Sequence, residues 1–444
     1  MRITSLLSLF ILIIFIALSM NAQEKIFPYE VHRHVLDNGL TTIIIPMESP
    51  GLVSYYSVVR TGSRDEWEPG KSGFAHFFEH MMFRGTENFP GPVYDSLVTS
   101  IGADANAYTT NDRTVYHLNF ASEDLEMVMN LESDRFQYLN YSKDDFQTEA
   151  GAVYGEYRKS ITSPWSVGFE KMYDMAFDKH TYKHTTIGFE RDIKQMPEQY
   201  EYSLTFFDRY YRPDNVILLI VGDINPVATL DLVKKYYGNW KPGYVEPQIT
   251  PEPPQKTERQ ALVKFDGKTL PLLMIGYKGD GFDVNNKNLL ATYLLDDLAF
   301  GSTSDIYKKL VLTEQKVQFI SAGFNFSRDP GLLFIYSMIK NQDDVDYVRD
   351  EVYITLEKFK TELVDEKKLN DLKKRTKYQF LMALDTPDNV ASVLPSFLSY
   401  TTTVDVIDDL FNNLMQITPE DIRTAANYYF QENRRNVVKV EGVQ

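Results

Sequence analysis

The chain has 444 residues, 43% hydrophobic and 24% charged, so a packed core is expected and wholesale disorder is excluded. A formal net charge of −16 argues against nucleic-acid binding, which needs a basic face, and is compatible with basic peptides as ligands. With no cysteine there can be no disulfide, and any metal site must draw on histidine and carboxylates.

Residues 1–22 read as a signal peptide. Arg2 supplies a positive start, 6–18 is almost wholly apolar, and Ser19-Met20-Asn21-Ala22 offers small residues for cleavage before Gln23. The apolar run is shorter than the ~20 residues that span a bilayer, which favours cleavage over anchoring. The mature chain is therefore expected to be exported, periplasmic or secreted, with no membrane attachment after cleavage.

An N-terminal domain is expected over 23–240. Asn38-Gly39 within 31–46 predicts a hairpin, and 53–61 is a further β-rich run. A helix is predicted over 72–83, a strand over 114–120, and helices over 122–139 and 142–160. Another helix over 198–211 precedes a buried strand at 216–221. Strands and helices mixed without strict alternation point to the α+β class.

Between 241 and 258 the pattern changes. Pro242, Pro247, Pro251, Pro253 and Pro254 sit among polar residues with no amphipathic period, a stiff linker before a C-terminal domain at 259–444. The two parts end alike. Pro197-Glu198 precedes a helix with Phe206-Phe207 and Tyr210-Tyr211, then Asn215-Val216-Ile217. Pro419-Glu420 precedes a helix with Tyr428-Tyr429-Phe430, then Asn436-Val437-Val438. This long-period similarity implies one fold used twice, two similar α/β sandwiches in one chain.

The chemistry concentrates in Gly73-Phe74-Ala75-His76-Phe77-Phe78-Glu79-His80. His76 and His80, four apart on a helix, project from one face and can share one zinc ion at ~2.0–2.1 Å. Glu79 lies on the same side. It can accept the proton of a water on the metal and pass it to a leaving amine. The order His-x-x-Glu-His inverts the commoner zinc-protease signature.

Zinc needs a third protein ligand and an open position. The helix over 142–160 is the best source. Ser142 caps it, Phe146, Ala150, Val153 and Tyr157 form its apolar stripe, and Glu149 and Glu156 lie seven apart at the stripe's edge. Spacing alone does not choose between these two glutamates. His32, His34, His117, His180 and His184 are read as structural or surface residues.

Gly73-x-Ala75-His76-x-x-Glu79-His80-Met81-x-Phe83-x-Gly85-Thr86 resembles the signature of the pitrilysin-type metallopeptidases, the M16 family of insulinase and the mitochondrial processing peptidase. Further matches include Leu36 to Leu40, Gly62 to Glu66, Asn106 to Thr109, and Arg212-Pro213-Asp214-Asn215. The resemblance implies that Glu156 is the third ligand of one Zn2+ per chain and that Glu149 supports activity. It also implies a zinc endopeptidase in which substrate adds as a strand beside Asn106, Ala107 and Tyr108.

One departure has consequences. In active members the second domain brings an Arg and a Tyr to the substrate, and here Asp305 and Phe319 stand in those places. Asp cannot donate to a developing oxyanion and Phe lacks a hydroxyl. A second, homologous subunit supplying Arg and Tyr is therefore expected, in a heterodimer, with a homodimer as the other arrangement. The alternative function is a non-catalytic structural or assembly subunit of the same fold.

Overall fold

In this computed structural model, which describes residues 25–443, the expected hairpin forms. Strand β1 (His32–Val35) pairs antiparallel with β2 (Thr41–Pro46). The candidate signal peptide lies outside the described residues. Strands β3 (Leu52–Val59), β4 (Asp104–Thr109), β5 (Thr114–Ala121) and β6 (Val216–Gly222) complete a six-stranded sheet in the order β1-β2-β6-β3-β5-β4.

A second sheet is built from β7 (Arg259–Phe265), β8 (Leu272–Lys278), β9 (Val317–Gly323), β10 (Leu332–Ile339) and β11 (Arg435–Gly442). Its order is β7-β11-β8-β10-β9. Without β1, the first sheet has the same topology. Each sheet has one parallel pair, β2 with β6 and β7 with β11, where the strand that closes the half returns beside β2 in the first and beside the opening strand β7 in the second. The chain is thus α+β with two similar halves, and none of 241–258 is in a helix or strand.

Helices of eight or more residues are numbered in order. The first half holds α1 (Phe74–Met81), α2 (Gly91–Ser100), α3 (Leu125–Tyr138), α4 (Lys143–Ser160), α5 (Pro164–Ala176), α6 (Tyr200–Tyr210) and α7 (Pro226–Tyr237). The second holds α8 (Lys287–Phe300), α9 (Val345–Thr361), α10 (Glu366–Met382), α11 (Pro387–Thr401), α12 (Val406–Met415) and α13 (Pro419–Tyr429). Among the described residues no single helix is long and apolar enough to cross a membrane.

The halves exchange helices. Met172 and Ala176 of α5 bury against Leu272, Met274, Val438 and Val440 of the second sheet. In return Leu394 and Leu398 of α11 join a core with Ile43, Tyr56, Val58 and Leu219 of the first. A sheet with two apolar faces must cover both, and each half covers one face of the other.

Polar contacts lock the same interface. Arg64 Nε donates to Asp329 Oδ2 at 2.6 Å, His180 Nε2 lies 2.9 Å from the same oxygen, and the Arg328 backbone N–H donates to Asp112 at 3.0 Å. Asp329 and Arg328 sit in the loop joining β9 to β10.

One expected parallel differs in detail. Thr418 caps α13 through a capping box with Asp421, and Pro419 opens the helix, whereas Met196–Glu198 forms a separate 3-10 turn before α6. Met196, which precedes Pro197 as Thr418 precedes Pro419, has no side-chain oxygen to cap a helix there, so the first helix starts later.

Candidate metal centre

Helix α1 buries Phe74, Ala75, Phe77, Phe78 and Met81 against the first sheet, which leaves His76, Glu79 and His80 on its other side. Its start is held by a residue that sequence reasoning gave no role. The Glu66 carboxylate accepts from the backbone N–H of Gly73 at 2.6 Å and of Ala75 at 2.7 Å. These are orphan donors of the first turn, and a carboxylate there also suits the helix dipole. Gly73 has φ of 94°, and a Cβ on it would lie 2.6 Å from the Ile187 carbonyl oxygen, so only glycine fits this entry. The signal in the sequence was an acid between two apolar elements, and nothing local showed where it would point.

Helix α4 starts on the expected Ser142, in a capping box with Asp145, and buries Phe146, Ala150, Val153 and Tyr157. It packs on α1 and presents both glutamates to it. The two glutamates then separate in role. Glu156 Oε2 lies 3.5 Å from His76 Nε2 and 3.4 Å from His80 Nε2. Glu149 Oε1 instead lies 2.9 Å from His80 Nδ1, and its other oxygen accepts from Arg84 Nε at 2.7 Å and from an Arg84 terminal nitrogen. Glu149 is 5% exposed, while the Glu156 side chain is 47% exposed.

His76, His80 and Glu156 offer ligand atoms that all lie within 4.8 Å of one another. Two ligands on a tetrahedron with bonds of ~2.0–2.1 Å lie about 3.4 Å apart, so the two nitrogen–oxygen separations already match one ion. The donor set, two imidazole nitrogens and one carboxylate oxygen with a solvent-facing side, fits zinc with an open position.

The electrostatics agree with that fit. Burial, aided by neighbouring His80, pushes His76 down to about 4, so its ring stays neutral, the form that binds a metal. The hydrogen bond to Glu149 raises His80 against the opposing effect of burial. Burial alone would raise Glu149, but its bonds from His80 and Arg84 outweigh this and hold it below the usual carboxylate value. With Glu149 accepting the Nδ1 proton, the Nε2 lone pair of His80 faces Glu156.

Glu79 is half-buried, and burial raises its carboxyl, opposed by a 2.6 Å hydrogen bond from Thr109 Oγ1. Thr109 ends β4, which pairs with β5 on one side only and forms the open edge of the sheet. Asn106, Ala107 and Tyr108 all lie on this edge strand, but their side chains diverge. Ala107, like Ala105, packs with the core around α1. Tyr108 packs with the core that the two halves share, and the Arg113 guanidinium sits 5.7 Å from its ring. Asn106 is exposed and its Oδ1 accepts from the Ala107 N–H at 2.8 Å.

Asp305 and Phe319 are not part of this cluster. Asp305 pairs with Lys358 of α9 at 3.0 Å, and Phe319 of β9 stacks on Trp165 with ring centroids 5.7 Å apart. Of the remaining histidines, three have structural partners: His180 binds Asp329, His184 lies 3.7 Å from Glu66, and His117 stacks on Tyr56.

Two family models match, insulinase (peptidase family M16) over 49–189 and peptidase M16 inactive domain over 199–376. A zinc protease PqqE of Helicobacter pylori is 27% identical over 434 residues, 96% of each chain. The crystal structure of a protease from Helicobacter pylori superposes with a TM-score of 0.87 at 26% identity, over 93% of this chain and 99% of that one. The first half of the periplasmic protease PqqL from Escherichia coli gives 0.75 at 21% identity, over 94% and 93%, a likeness of fold.

Proposed function

The chain belongs to peptidase family M16, a family of metallopeptidases, and from that premise we propose that it is an exported zinc-dependent endopeptidase acting on peptides or small unfolded polypeptides. The observation that carries this reading is the convergence of His76, His80 and Glu156 on one point, with Glu79 beside them at an open sheet edge. One zinc ion held by those three residues would supply Lewis acidity toward a water and a peptide carbonyl.

The chain's own groups do the rest. The free edge of β4 takes an extended peptide through main-chain hydrogen bonds, which bind any sequence. Glu79 accepts the proton of the attacking water and returns it to the leaving amine. Its burial raises its affinity for that proton, and Thr109 holds the carboxylate against the edge strand. Glu149 orients the His80 ring and is itself held by Arg84, so it acts through the histidine. Export is supported by the pattern of residues 1–22.

The donors for the tetrahedral oxyanion come from a second, homologous chain in a heterodimer. Asp305 and Phe319 face other partners, and a homodimer would repeat that deficit on both sides. The same two residues favour the second reading, a non-catalytic subunit.

The test is purification with any copurifying chain, followed by metal analysis and digestion of a peptide library by the chain alone and by the pair. About one zinc per chain and cleavage that is slow alone and restored near one-to-one with the partner are expected. Stoichiometric zinc with no cleavage in either sample would establish the non-catalytic reading.

A further inference from the structure

Beyond the metal-facing side of β4 lies a second concavity. The turn at 110–113, which ends β4, forms one rim of a cavity of about 830 Å³ between the halves. Its walls are aromatic: Tyr173 of α5, Phe326 of the β9–β10 loop, Phe334 of β10, Phe380 of α10, and Phe397 and Tyr400 of α11. All six are only partly buried, so their rings keep apolar surface open to the cavity.

The walls are built rather than loose. Phe326 stacks on Tyr293 at 5.1 Å and meets Phe282 at 5.2 Å, and the Tyr400 hydroxyl donates to the Phe326 carbonyl at 3.0 Å. Phe380 packs on Phe411 at 4.7 Å. The rim is tied across the halves by Arg113, which donates to Ser396 Oγ at 2.9 Å.

The strand period connects this cavity to the edge. Ala105, Ala107 and Thr109 face α1, where Thr109 reaches Glu79, while Tyr108 lies on the opposite face, against His117, Arg113 and the core that the two halves share. A peptide added to β4 obeys the same alternation, so every second side chain turns away from Glu79, toward the face where the halves meet around the cavity. The strand runs into the cavity rim at Thr110, one residue past Thr109, so a side chain roughly two to four residues from the scissile bond comes within reach at ~3.3 Å per residue.

We infer that this cavity receives one bulky apolar side chain of the extended peptide and so selects substrates carrying a large hydrophobic residue at a fixed distance from the cut. The inference rests on the proposed use of β4 as the substrate edge. The cavity's volume exceeds any one side chain, so it discriminates large from small and tolerates Phe, Trp, Leu and Met alike. Burying such a side chain is worth roughly ten- to a hundred-fold in affinity over alanine.

The probe is a short fluorescein-labelled peptide of Ala, Gly and Lys with one Phe moved through successive positions, alongside its all-Ala counterpart. Binding is measured by anisotropy on the zinc-loaded full chain carrying Glu79→Gln, and cleavage in parallel on the unsubstituted chain together with any copurifying chain. One Phe position should bind roughly ten- to a hundred-fold more tightly than the counterpart. Ser392→Trp combined with Gln379→Trp, both at exposed wall residues, should reduce that ratio toward one, and Phe397→Ala should reduce it too. A ratio near one at every position, a ratio unchanged by all three substitutions, or binding of no peptide overturns the inference. Cleavage without Phe preference leaves the peptidase reading standing and removes this one. Phe-dependent binding without cleavage does the reverse.

Discussion

Two helices occupy the same place in the two halves: α1 between β3 and β4, and α8 between β8 and β9. In α1 one side is apolar and the other carries His76, Glu79 and His80. In α8, Leu289, Leu290, Leu294, Leu295 and Leu298 are all buried, and the helix packs on α13 as well as beside β9. A helix covered on several sides keeps an ionisable group only where it is paired, because burying one unpaired costs several kcal/mol: in α8 Asp296 accepts from the Phe324 backbone N–H at 3.0 Å and Asp297 pairs with Arg375. One topology therefore serves chemistry in the half where its helix keeps a bare face, and serves packing in the other.

The comparison breaks most visibly at Glu79. Glu79→Gln should keep stoichiometric zinc by elemental analysis and lower peptide turnover by ~10²–10⁴. Near-normal hydrolysis would remove Glu79 from the mechanism. Next come the two glutamates of α4. Glu156→Gln should abolish stoichiometric metal, and Glu149→Gln should weaken metal affinity or activity by ~10–100-fold, the usual effect of losing a group that orients a ligand. Metal titration of both variants checks this, and full occupancy in Glu156→Gln with loss in Glu149→Gln would invert the two roles.

For the second half the expected effect is on stability. Leu294→Ala in α8 should cost about 2–5 kcal/mol in denaturant unfolding and leave zinc content unchanged. Loss of zinc in the folded variant would mean that the two helices are coupled. Smallest is the lock between halves. Asp329→Asn should cost about 1–3 kcal/mol, because Asp329 accepts charge-assisted hydrogen bonds from a largely buried Arg64. Arg64 and His180 hold the Asp329 carboxyl well below its ordinary value, outweighing burial. Its contribution is therefore full above the unfolded value of ~3.9 and fades as pH falls through the lower folded one. The stability gap between the two proteins should shrink on acidification below about pH 4, and a gap that widens there would contradict the sign.

The α1 face was legible because its polar residues recur at three and four positions against an apolar stripe at 74, 77, 78 and 81. The hairpin at Gly39, the Ser142 cap and the buried strand β6 were legible for the same reason, since each is a local pattern. The exchange of α5 and α11 was not. An apolar helix stripe shows that a helix must be covered, without showing by which sheet.

Local pattern along the chain specified the hairpin, the metal helix and its neighbour α4, the repeat of the closing helix and strand, and the residue types available to a metal. Tertiary structure alone decided that Glu156 faces the two Nε2 atoms while Glu149 turns to Nδ1, and that Glu66 caps α1 from across a loop. It also decided that Tyr108 and Ala107 serve opposite sides of one strand. The difference is one of range. Periodicity and capping act within a turn or two of the chain, whereas ligation, capping at a distance and cavity walls depend on where separate segments meet, which only the packing of the whole core sets.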